Sequence, residues 1–162
     1  MKIVVDTNIV FSALLNSSSQ IGKILVYSPK ECFSFYTCSY LRDEILNHFE
    51  KIQKYTKLDN SHLFELIQKI ERKITFIDDR LLPKDVLQKA KYITCDVDCD
   101  DMAFVSVADY LNANLWTGDK ILINGLCAKG YNNFKTTSQM IKLLEDYEKN
   151  NPLWKTGEIS LL

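Results

Sequence analysis

Four short stretches of the chain carry acidic side chains where they could do chemistry. VVDTNIVFSALL ends an apolar run on Asp6, followed by Thr7 and Asn8. SYLRDEIL carries Glu44, DVDCDDMAFVSVA carries Asp98, Asp100 and Asp101, and LWTGDKIL carries Thr117 and Asp119. Burying an isolated ionised carboxylate is costly, so Asp6 at the end of a core strand needs a hydrogen bond, an ion partner or a metal. Carboxylates without His or Cys offer hard oxygen donors, which suit Mg²⁺ or Mn²⁺ rather than zinc or copper. Such ions serve phosphodiester chemistry by lowering the pKa of a bound water and stabilising the oxygen that leaves.

The elements around these stretches must bring them together. Apolar periodicity and turn residues predict strands at 2–5, 32–37, 74–77, 114–117 and 132–136. Helices are expected at 8–15, 21–27, 39–52, 62–74, 83–93, 102–112, 120–129 and 138–150, with Ser39 and Ser61 as capping residues. Strands alternating with helices predict an α/β fold, a three-layer α/β/α sandwich with a mainly parallel central sheet. In such sheets ligands gather at the carboxyl ends of the strands, near the point where strand order reverses. Asp6 and Asp119 directly follow strands, while Glu44 and Asp101 lie near the starts of helices. Helix starts offset part of the crowded negative charge, and a cation would let all four acids stay ionised.

Composition narrows the setting. A chain of 162 residues, 46% hydrophobic and 25% charged, suits one domain with an ordinary core. Residues 1–150 are expected to form it, with 151–162 as an extension whose Trp154, Ile159, Leu161 and Leu162 pack back on the domain or on a second subunit. The apolar runs fall short of the roughly 20 residues a membrane span needs, and Asp6 interrupts what could have been a signal sequence, so a cytoplasmic protein is expected. A net charge of −1 gives no support to a general polyanion binder, so nucleic acid as a partner would need local basic patches or a metal. Five cysteines, an odd number without a CxxC pair, predict reduced thiols.

Taken together, VVDTNIVFSALL, Glu44 in SYLRDEIL, DCDDMAFVSVA and LWTGDKIL resemble the four signature segments of the PIN-domain nucleases, closest to the PIN proteins described as toxin components of toxin-antitoxin systems. The resemblance spans roughly residues 2 to 145. It implies that Asp6, Glu44, Asp101 and Asp119 form a catalytic metal site for Mg²⁺ or Mn²⁺. Thr7, Asn8 and Thr117 would shape that site, with Asp98 and Asp100 competing as ligands or supporting them from outside. It further implies an endoribonuclease that cuts single-stranded RNA through an activated water, a cognate antitoxin that blocks the site, and a homodimer.

Other readings compete with each assignment. Asp6, Asp119, Asp100 and Asp101 could cap helices, and Glu44 could belong to a solvated face. Lys51, Lys54 and Lys57 could guide an RNA backbone or simply face water. Tyr36, Tyr40 and Trp116 could stack on bases or pack in the core. A PIN-like module that binds RNA or protein without cutting has no need of all four acids. A haloacid-dehalogenase-type phosphohydrolase needs a second aspartate where Asn8 stands.

Overall fold

The computed structural model describes residues 1–56 and 58–152. Its centre is β1 (Lys2–Val5), whose Ile3, Val4 and Val5 are all fully buried. A strand buried on both faces needs no polar alternation, which is why IVV reads as a continuous apolar run. Parallel neighbours flank it: β2 (Ser34–Cys38) pairs Phe35 with Ile3, and β4 (Asn114–Trp116) pairs Trp116 with Val5. Outside these lie β3 (Ile74–Ile77) and β5 (Phe134–Lys135), also parallel, in the order β3-β2-β1-β4-β5.

Side chains on the two faces of the sheet enter two separate cores. Ile3, Val5, Phe35 and Trp116 pack beneath α1 (Thr7–Leu15), α2 (Gln20–Tyr27), α4 (Phe49–Thr56), α5 (Asn60–Glu71) and α9 (Thr137–Asn150). Val4 and Leu115 face α6 (Lys84–Thr94), α7 (Met102–Leu111) and α8 (Lys120–Ala128). The result is the expected α/β/α sandwich, and among the described residues its sheet is wholly parallel. Among those residues no single helix is long and apolar enough to cross a membrane.

Local chemistry departs from the sequence reading in three places. The helix expected from Ser39 to Ile52 is two helices, α3 (Tyr40–Asn47) and α4, because His48 leaves helical geometry and sets its ring edge-on against Phe11 at 5.7 Å. That break turns α4 onto α1 and buries Ile52. Ser39 caps nothing with its side chain; its Oγ instead donates to the Ile77 carbonyl at 3.3 Å, tying α3 to β3. The cap of α5 is Asp59, whose Oδ1 accepts from the His62 amide at 2.9 Å, so the helix starts two residues before a cap at Ser61 would place it.

A fourth correction concerns the cysteines. Cys95 closes α6 and Cys99 lies four residues on, and the intervening turn brings the two together as a disulfide. Cys32, Cys38 and Cys127 are free thiols, the first two buried. The expected packing of residues 153–162 lies outside the described residues, as does Lys57.

Candidate active site

The chain runs from β1 outward through β2 to β3, then crosses back to β4, so strand order reverses between β1 and β4. Helices on opposite faces diverge at such a point and leave a crevice at the strands' carboxyl ends. Asp6 leaves β1 there. Its carboxylate is 2% exposed and starts α1, with Oδ1 accepting from the Asn8 amide at 3.4 Å and Oδ2 from Asn8 Nδ2 at 3.5 Å. Thr117, at the end of β4, donates its hydroxyl to Asp6 Oδ2 at 2.6 Å.

Asp119 caps α8 from the other side of the crevice. Both cap bonds fall on Oδ1, from the amides of Ile121 at 2.7 Å and Leu122 at 3.1 Å, so the cap uses only one of its oxygens. Asp101 occupies the capping position of α7 but makes no side-chain cap bond, contrary to the helix-capping alternative. Its neighbour Asp98 accepts from the Asp100 amide at 3.0 Å, which folds the acidic loop back on itself. Glu44 reaches the site from α3, one turn after Tyr40.

These side chains line one cavity of about 160 Å³. Asp6, Glu44, Asp98, Asp100, Asp101 and Asp119 all face it, with Thr7, Asn8 and Tyr40 between them. Every carboxylate singled out in the sequence therefore reaches one place, and Thr117 stands behind Asp6. Burial raises the Asp6 carboxyl above its usual range, opposed by the bonds from Thr117 and Asn8 and reinforced by the charge of Asp119. Asp101 is pushed up to about 7, first by burial, then by the charges of Asp6, Asp98, Asp119 and Asp100. The Tyr40 phenol is raised as well, by burial and then by Glu44 and Asp100.

Charge of this kind asks for a cation. Among the described residues no three of these side chains stand close enough to hold one ion together as placed. The donor set nevertheless fits a hard divalent ion, being six carboxylates with hydroxyl and amide oxygens beside them. A second observation agrees: Thr7 Oγ1 is buried beside the acids with no hydrogen-bond partner among the described residues.

The other proposed contacts divide. Trp116 is fully buried and donates Nε1 to Thr137 Oγ1 at 3.2 Å, so it is a core residue. Tyr36 packs against the second core. Tyr40 borders the acids, four residues before Glu44 on the same helical face. What sequence reasoning missed is a second pocket beside the first, between α1 and α4, with His48, where the chain breaks, in its lining.

A parallel sheet with a carboxylate-lined crevice at its switch point places the chain among α/β proteins that build their sites on that edge. The chain matches the PIN domain over residues 4–159 and belongs to the PIN-domain family, whose members are generally Mg²⁺- or Mn²⁺-dependent nucleases. No curated protein shows significant similarity to it.

Proposed function

We propose that this protein is a metal-dependent endoribonuclease that hydrolyses phosphodiester bonds in single-stranded RNA. The observation that carries the reading is the convergence of six carboxylates, from four separate parts of the chain, on one crevice. Asp6, Glu44, Asp101 and Asp119 would hold Mg²⁺ or Mn²⁺. Such an ion supplies a lowered pKa for water and charge neutralisation at the phosphate.

The chain's own groups do the positioning. Thr117 and Asn8 fix the Asp6 carboxylate, and the first turn of α8 fixes Asp119. The amino ends of α1 and α8 point their partial positive charge into the crevice, where an anionic backbone gains from it. Thr7 lines the same crevice, with its Oγ1 buried and without a hydrogen-bond partner among the described residues. Asp98 and Asp100 line the same cavity as Asp101 and add to the negative charge that a cation would meet there.

The resemblance of the four segments to those of PIN toxins supports a finer reading: the toxin component of a toxin-antitoxin pair, acting in the cytoplasm as a homodimer and held inactive by an antitoxin protein. Expression of the chain then arrests growth, and Asp6→Asn relieves the arrest. The enzymatic test is cleavage of end-labelled single-stranded RNA with Mn²⁺ or Mg²⁺. Cutting that EDTA and Asp6→Asn both abolish supports the proposal. Equal cutting by the wild-type and Asp6→Asn chains refutes it.

A further inference from the structure

We infer that the pocket between α1 and α4 receives one nucleobase of the RNA strand, next to the phosphate held at the carboxylates. The inference rests on the ribonuclease reading and adds the site at which the strand is gripped. The pocket has a volume of about 330 Å³, the scale of a small-ligand site. Phe11, Leu15 and Tyr55 form its apolar walls, while His48 and Lys51 supply its polar edge.

Three observations point to a nucleotide. Position is the first: Asn8 lines both this pocket and the carboxylate cavity, and its Nδ2 donates to Asp6 Oδ2 at 3.5 Å. An occupant is thus one side chain away from the proposed reacting phosphate. Charge is the second. The carboxylate cavity is lined by six acids, whereas this pocket has none and carries Lys51 at its edge, in a chain of net charge −1. Apolar walls with one cation at the rim complement a flat base attached to a phosphate.

Ring geometry is the third. Phe11 and His48 meet edge to face at 5.7 Å and together line one side of the pocket. Tyr55 is 64% exposed and Leu15 is 46% exposed, although both border a concave surface. An exposed tyrosine ring in the same pocket as this aromatic pair offers a base a surface to stack on, and stacking tolerates any base because each has a π-face.

The test uses fluorescence anisotropy of a labelled single-stranded RNA on the full chain carrying Asp6→Asn, which prevents cutting. Adding Tyr55→Ala is expected to weaken binding about tenfold, within the range seen when a stacking aromatic is truncated, while Tyr55→Phe keeps it. An RNA with one abasic nucleotide, moved along the strand, should lose the same factor at one position beside the cleavage site. At that position Tyr55→Ala should then cost nothing more. If wild type cuts RNA while Tyr55→Ala leaves affinity unchanged, or weakens intact and abasic RNAs alike at every position, the pocket assignment falls and the nuclease reading stands. If the chain neither binds nor cuts RNA, both fall. Halving of the mass in light scattering by Tyr55→Ala would give the pocket to a second copy of the chain and overturn the inference.

Discussion

The Thr117 hydroxyl donates to Asp6 Oδ2 at 2.6 Å and accepts from the Asp119 amide at 3.0 Å, so one side chain joins the two acids that flank the crevice. Asp6 and Thr117 are 111 residues apart and meet only because β1 and β4 are neighbours in the sheet. Thr117→Val keeps the shape and removes both bonds. The buried Asp6 carboxylate then loses its shortest partner, and stability should fall by about 2 kcal/mol, the scale of a hydrogen bond to a charged group. Denaturant unfolding measures this, and Thr117→Ser should restore most of it.

Crowded acids make the metal-free protein sensitive to pH. Asp101 titrates at about 7 in the folded chain against 3.8 when unperturbed, so the folded state binds more protons between those values. Its contribution is therefore fully favourable below about pH 4 and is lost as pH rises through about 7. In EDTA the melting temperature should fall from pH 5 to pH 8, and Asp101→Asn should flatten that slope. Mn²⁺ should raise the melting temperature more at pH 8 than at pH 5. A rise in metal-free stability over that interval would contradict the sign.

Gly125 of α8 holds the acidic loop in place by being small. A Cβ built there would stand 2.4 Å from Val97 Cγ2, 3.1 Å from Cγ1 and 3.3 Å from Cβ, so Val97 must shift to admit it. Gly125→Ala should cost about 1 to 3 kcal/mol, as overpacking does. It should also weaken divalent-ion binding, because Val97 directly precedes Asp98. Paired Gly125→Ala and Val97→Ala substitutions should recover most of both losses.

Cys95 and Cys99 enclose Asp96, Val97 and Asp98, so their disulfide crosses the acidic loop. Protein prepared without reductant, denatured and alkylated should take up three labels, on Cys32, Cys38 and Cys127, and five after reduction. Five labels before reduction would show the pair held as thiols, as a reducing compartment favours.

Much of the site was legible in the chain because its acids sit at element boundaries. Asp6 ends an apolar run, Asp119 follows a second one, and parallel topology sends both to the same edge of the sheet. The alternation of strands and helices was visible for the same reason at β1 and β3, where IVV and ITFI are short apolar runs each closed by an aspartate. Glu44 and Asp101 were legible only through their segments, since one acid on a charged helix looks like any solvated residue. Other features depend on distant partners and leave no local trace. The Thr117 relay needs β1 beside β4, the ring contact of His48 needs Phe11 on α1, and the disulfide needs the turn after α6. Ser39 was misread as a cap because its hydroxyl is taken by Ile77 from a neighbouring strand.

A divalent cation bound by the carboxylates of this crevice underlies the proposed chemistry. Its most direct test is calorimetric titration of Mn²⁺ into the wild-type chain and into Asp6→Asn and Asp119→Asn near neutral pH. Saturable binding in the wild type, weakened tenfold or more by each substitution, is the result predicted. Equal affinity in all three chains, or no binding to the wild type at millimolar Mn²⁺, would contradict it.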